Sequence, residues 1–179
     1  ARRNNAIVAS DECYLNFPAG DIAPISILKV AAGDNTNLLA VHSLSKRSNL
    51  AGYRAAFIVG DPKVIATIRE VRKHAGLMVP LPVQRAMTVA LADETHAHAQ
   101  AEKYRARRSV LRAALEAAGF AVEFTDAGLY IWCTKGEDGF KTVDYFAAMG
   151  ILVTPGSFYG SNNFVRIALT ATDENIDKA

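Results

Sequence analysis

Apolar residues in this chain gather in short runs that end in polar clusters, and between the runs they recur every three or four positions. Ala6-Ile7-Val8-Ala9-Ser10 is one such run, closed by Asp11-Glu12. It predicts a buried strand with polar groups at its C-terminal end. Leu38-Leu39-Ala40-Val41-His42 predicts a second buried strand, ending in Ser43-Leu44-Ser45-Lys46. Ala55-Ala56-Phe57-Ile58-Val59 predicts a third, closed by Gly60-Asp61-Pro62. Residues 18–37 contain Pro18, Gly20, Pro24, Gly33 and Asn35 and read as loop with room for one short helix.

Asp61-Pro62 is a helix start, an N-cap followed by proline in the first turn. Val64, Ile65, Ile68 and Val71 supply its inner face. Pro80 and Pro82 break the chain, and a helix is expected from about Val83 to Leu91. A long helix follows from about Glu94 to Ala118, with Tyr104, Val110, Leu111 and Leu115 inward and Gly119 at its C-terminal cap. The pattern then shortens. Phe120–Phe124, Leu129–Thr134, Ile151-Leu152-Val153 and Phe164–Leu169 read as strands, 140–149 as a helix, and Asp173 as the start of another. The front is thus α/β and the back α+β, with a boundary near residue 95 and the 94–118 helix as the joint.

Composition narrows the function classes. Half the residues are apolar, and the formal charge of the 179 residues is +2, carried by scattered basic groups. This gives no reason to expect nucleic acid as a partner. No apolar run approaches the length of a membrane span. Ala1-Arg2-Arg3-Asn4-Asn5 leads into no signal-peptide core, and a start without Met, almost directly at a strand, suggests a longer chain upstream. Cys13 and Cys133 form no CxxC pair and are expected to be free thiols of a cytoplasmic protein. His96-x-His98 has the wrong spacing for one helix face, so no metal site is expected.

The candidate chemistry lies at strand ends. Asp11 follows one strand, Lys46 another, and Arg54 precedes a third. In open α/β sheets ligands sit beyond the carboxyl ends of strands. Ser43-Leu44-Ser45-Lys46-Arg47-Ser48-Asn49-Leu50-Ala51-Gly52-Tyr53-Arg54-Ala55-Ala56 resembles the cofactor-attachment signature of class I/II (fold-type I) aminotransferases, which use pyridoxal 5′-phosphate (PLP). Asp11-Glu12-Cys13-Tyr14 resembles the D-x-x-Y upstream of the lysine in that family, and Phe164-Val165-Arg166-Ile167-Ala168 its late arginine segment. The motifs stand in the family's order and spacing.

The resemblance implies that Lys46 holds PLP as a Schiff base, that Asp11 faces the pyridine nitrogen and that Tyr14 faces O3′. It also implies that Ser43, Ser45 and Arg54 bind the phosphate, and that Arg166 takes the substrate carboxylate. Each residue type suits its task. A carboxylate favours the protonated ring nitrogen, a guanidinium binds a phosphate dianion or a carboxylate bidentately, and a lysine amine attacks a carbonyl. The implied fold is part of a PLP-transferase large domain over 1–95, a mostly parallel sheet with helices, then a smaller α+β domain over 96–179. The implied activity is transamination of small amino acids and 2-oxo acids by a homodimer. The family's phosphate loop, ring-stacking aromatic and asparagine near O3′ belong to an N-terminal half that cannot be placed here.

Val41 to Val59, Val71-Arg72-Lys73-His74-Ala75-Gly76, Tyr104-Arg105-Ala106-Arg107-Arg108 and Ala168–Glu174 resemble more narrowly the actinobacterial succinyldiaminopimelate aminotransferases of lysine biosynthesis. Competing readings are another aminotransferase of aspartate or aromatic type, a PLP-dependent C–S lyase, the PLP-sensing module of a transcription regulator, and a non-catalytic remnant. Blander roles are expected elsewhere. His42 reads as a satisfied core histidine, His74, His96 and His98 as helix-surface residues, and Arg105, Arg107 and Arg108 as a solvated face. Tyr130 and Trp132 alternate with Ile131, so one of the two sets is core.

Overall fold

In the computed structural model, which describes residues 2–18, 20, 24–76 and 78–179, the chain forms two units. Residue 1 of the expected lead-in and residues 19 and 21–23 of the expected loop lie outside the described residues. One unit takes the chain up to Asn16 and again on to Gln100, and the other takes Phe17, Pro18 and Ala101–Ala179.

The first unit runs β1 (Val8–Asp11), α1 (Ile27–Val30), β2 (Leu38–Ser43), α2 (Leu44–Arg47), β3 (Ala56–Gly60), α3 (Pro62–His74) and α4 (Leu81–Ala92). Its sheet has the order β1-β2-β3. β1 and β2 are parallel, with Asp11 opposite Val41, while β2 and β3 are antiparallel, with Ser43 opposite Ala56. The sheet of the described residues is therefore mixed rather than mostly parallel. A parallel return would need a crossover long enough to lie on the sheet. Here the link is only α2 and a 3-10 turn at Ala51–Tyr53, after which Arg54 adopts the left-handed conformation (φ 51°) and turns the chain back.

Leu38, Leu39 and Ala40 are buried, as are Leu44 and Ala55 on either side of the link. β1 is shorter than expected and alternates between half-buried and exposed, because its pairing within the described residues is on one edge. Asp61 caps α3 as its sequence suggests. Its Oδ1 accepts from Lys63 N at 2.8 Å and its Oδ2 from Asn37 N at 2.8 Å. The inner face of α3 is Val64, Ile65 and Ile68, all half-buried, whereas Val71 is 62% exposed. Pro80 is the N-cap of α4 and Pro82 sits in its first turn, where the missing N–H costs nothing, so the prolines begin this helix rather than precede it.

The second unit takes over α5 (Thr95–Ala117) from Ala101, followed by β4 (Ala121–Glu123), β5 (Tyr130–Thr134), α6 (Gly139–Ala148), β6 (Thr154–Pro155), β7 (Val165–Ala168) and α7 (Asp173–Lys178). Its sheet is antiparallel throughout, in the order β4-β5-β7-β6. Leu111, Leu115, Phe120, Leu129, Ile131, Cys133, Phe146, Val165, Ile167 and Leu169 form the core. Ile131 and Cys133 are thus the inward set of β5, and Tyr130 and Trp132 the half-buried one. Gly119 closes α5 at φ 83°, letting Phe120 N donate to Leu115 O.

Three expectations change here. Residues 151–153 are not a strand: Leu152 is 93% exposed, and the pairing with β7 begins at Thr154. Val110 points outward, since α5 buries Tyr104, Leu111 and Leu115 at helical spacing instead. Arg108 is not on a solvated face. It is 5% exposed and its guanidinium donates to the carbonyls of Thr125 (3.2 Å), Tyr130 (2.9 Å) and Gly128. Among the described residues no helix is long and apolar enough to cross a membrane. No group of three or more His, Cys, Asp or Glu side chains among them could hold a metal.

Candidate functional site

The parallel register of β1 and β2 brings their C-terminal ends side by side, and Glu12 N donates to Val41 O at 2.8 Å just beyond them. Asp11 stands on one end. Lys46 stands one helical turn past the other, in α2. Cys13 reports on both. Its N–H donates to Asp11 Oδ1 at 3.1 Å, and its thiol hydrogen-bonds to the same carboxylate. Those two bonds hold the Asp11 carboxyl below its ordinary range. Burial, the Asp11 hydrogen bond and the Asp11 charge push the thiol up to about 11, while the charge of Lys46 pulls the other way. A carboxylate held ionised and a lysine thus lie within electrostatic reach of one thiol.

α2 is fixed from its ends. Ser43 Oγ caps it by accepting from Ser45 N at 3.0 Å, and Leu44 is 1% exposed. Arg47, next to the lysine, is 8% exposed. Its guanidinium donates to Ala90 O at 2.9 Å and to Glu94 Oε1 at 2.6 Å, tying α2 to the end of α4. His96 extends this tie, with ring nitrogens 2.9 Å from Asp93 Oδ2 and 2.8 Å from Ser48 Oγ. It is a bridge rather than the plain surface residue expected. His42 Nε2 lies 3.3 Å from Glu12 Oε2, its ring stacks on Phe57, and Glu12 Oε1 accepts from Ile27 N at 2.8 Å.

The serines and Arg54 differ in what they leave free. Ser43 has one hydroxyl proton and two acceptors in reach, Ser45 Oγ at 2.8 Å and Ala55 O at 3.4 Å. Ser45 Oγ accepts from Ser43 and donates to no protein acceptor among the described residues. Arg54 is exposed, and Nη1 donates to Ala51 O at 3.0 Å. The rest of its fork meets no protein acceptor among the described residues. Tyr14 is half-buried in the turn after β1. A carboxylate, a lysine, a hydroxyl and an open guanidinium are the donor set that PLP needs for its ring nitrogen, its carbonyl carbon and its phosphate, so these residues fit the group.

Arg166 belongs to the second unit, in β7 opposite Trp132 of β5 and Thr154 of β6. Its guanidinium carbon lies 4.2 Å from the Tyr130 ring centroid and 4.7 Å from that of Tyr159. Its Nε is buried and donates to no protein group among the described residues. Sequence reasoning missed Cys13, Arg47 and Tyr159. Tyr130 carried a signal, since it alternates with Ile131 and so shares a sheet face with Trp132.

The fold matches that of solved aminotransferase structures. An aminotransferase of Neisseria meningitidis superposes on 96% of this chain and 47% of its own, with a TM-score of 0.86 and 33% identity. The family model "Aminotransferase class I and II" matches residues 1–179, and the chain belongs to that family. It is 54% identical to a "probable aminotransferase" of Mycobacterium tuberculosis, over 100% of this chain and 44% of that protein. It is 52% identical to the 4-dedimethylamino-4-oxo-anhydrotetracycline transaminase of Streptomyces rimosus, over 100% of this chain and 51% of that protein. The chain thus spans about half the length of the curated relatives it matches.

Proposed function

We propose that the full-length protein transfers an amino group between an amino acid and a 2-oxo acid with PLP carried on Lys46. The substrate pair is N-succinyl-diaminopimelate as amino donor and 2-oxoglutarate as acceptor, giving the succinylated oxo acid and glutamate. The observation that carries the reading is the parallel register of β1 and β2, which sets Asp11 at the end of one strand beside the strand from which α2 and Lys46 follow. Bound there, PLP supplies the electron sink that makes the substrate Cα proton removable.

The chain's own residues do the rest. Asp11, held ionised by Cys13, keeps the ring nitrogen protonated. Tyr14 donates to O3′, while Arg54, Ser45 and Ser43 hold the phosphate. Lys46 would hold the cofactor, and its amine would hold and move the proton at the substrate Cα. Arg166 binds the substrate carboxylate with the Nε that has no protein partner among the described residues. Arg47 keeps α2, and with it Lys46, in place. We further propose a homodimeric cytoplasmic enzyme with large-domain residues over 1–95 and small-domain residues over 96–179.

The narrow substrate rests on the subfamily segments in Val41–Val59, 71–76, 104–108 and 168–174. The similarity to the Streptomyces transaminase favours a second reading, a family member acting on a different carbonyl acceptor. Glutamate formation by the full-length protein from 2-oxoglutarate separates the two. Succinyldiaminopimelate is expected to be the preferred donor over aspartate and cystathionine, and a preference for either of those two rejects the narrow assignment.

A further inference from the structure

We propose that Tyr130 and Tyr159 are positioning residues that clamp Arg166, so that the site takes a carboxylate presented edge-on to its guanidinium. The inference rests on the reading of Arg166 as the carboxylate-binding residue and goes beyond it.

A guanidinium has two faces and a rim of N–H donors, and only the rim makes hydrogen bonds. Two aromatic rings lie against the Arg166 guanidinium, with the Tyr130 centroid 4.2 Å and the Tyr159 centroid 4.7 Å from its carbon. Nε is buried and bonds to no protein acceptor among the described residues. A buried donor left in that state costs free energy that an incoming acceptor recovers. Rings packed against a guanidinium attract its cationic plane and leave the N–H rim for a ligand. Two parallel N–H groups in one plane match the two oxygens of a carboxylate.

The clamp is itself braced. Tyr159 meets Trp132 edge-to-face at 6.0 Å, and Trp132 stacks on Phe164 at 5.2 Å and 9°. On the other side, the Tyr130 carbonyl accepts from Arg108 at 2.9 Å. Free arginine side chains lose considerable rotamer freedom on binding. A guanidinium already held against two rings has lost it beforehand, so the ligand binds more tightly without any new contact to it. The rings act on binding alone, because they meet the substrate carboxylate only through Arg166.

The test uses the PLP-loaded full-length protein and glutarate, a carboxylate with no amino or oxo group, with its affinity read by calorimetry. Tyr130→Leu and Tyr159→Leu remove a ring but keep apolar bulk. Each is expected to weaken glutarate about tenfold and to raise KM for glutamate alike, with kcat within about twofold of the parent. Tyr130→Phe and Tyr159→Phe keep the ring and are expected to bind as the parent does. Arg166→Gln is expected to abolish glutarate binding. If Arg166→Gln binds glutarate normally, the reading of Arg166 is wrong. If Arg166→Gln loses binding while both Leu variants keep it, the clamp alone is wrong. Phe variants as weak as the Leu variants would assign the effect to the phenol hydroxyls and overturn the clamp.

Discussion

Replacing Arg108 by Met should loosen the second unit more than any surface arginine could. The side chain is 5% exposed and donates to three backbone carbonyls, at Thr125, Gly128 and Tyr130. The Thr125 bond is buried and the other two are part-buried. A hydrogen bond from a charged donor contributes about 1.5–3 kcal/mol, less where water reaches the orphaned acceptor. One full and two reduced losses come to about 4 kcal/mol. Burial works against the charge, pulling the Arg108 guanidinium below its ordinary value, with Arg112 adding to this and Asp126 opposing it. Met removes that penalty and fills the apolar part of the space, leaving a net loss of about 3 kcal/mol. Hydrogen exchange in the full-length protein should then show β5 amides opening about 100-fold more often, because 1.36 kcal/mol is one decade. Arg108→Lys should recover less than half, since one ammonium cannot serve three acceptors on a fork's geometry. A Met variant within 1 kcal/mol of the parent would refute the claim that these carbonyls depend on Arg108.

Other consequences are local. Gly60→Ala places a Cβ into the Leu38 carbonyl oxygen and 2.9 Å from Leu39 Cα, at φ 147°. The register of Leu39 with Gly60 cannot survive this, and a loss of about 3 kcal/mol or more in urea unfolding is expected; an unchanged midpoint would contradict it. The Cys13 thiol of the PLP-free protein should alkylate slowly near neutral pH, its rate rising toward a midpoint of about 11. Asp11→Asn removes the charge and hydrogen bond that hold the proton on, so its profile should move to lower pH. No movement would mean that Asp11 and Cys13 are not coupled.

Much of this architecture is legible in the chain because local rules and tertiary packing agree. Leu38, Leu39 and Ala40 of the second apolar run are buried, with Val41 and His42 half-buried, Asp61-Pro62 caps α3, and Gly119 ends α5. Misreadings arise where packing overrides pattern. Ile151-Leu152-Val153 has strand composition, yet β7 finds its partner at Thr154 and leaves Leu152 to solvent. Arg108 resembles its neighbours in a basic cluster, and only the turn at 125–130 gives its guanidinium three carbonyls. In the candidate site, Asp11 and Lys46 are legible as polar residues after apolar strands. The parallel register that aligns those strand ends is a long-range fact that neither run contains. The antiparallel β3 is equally invisible, since the reversal depends on Arg54 adopting the left-handed conformation, which its residue type does not announce.

The most direct test of the account is where PLP attaches. The full-length protein with PLP should show a visible absorption band that borohydride removes, and peptide mapping should then find the reduced label on Lys46. Lys46→Ala should show neither band nor label while keeping the parent fold. A label on another lysine, or a band that survives unchanged in Lys46→Ala, would contradict the central claim.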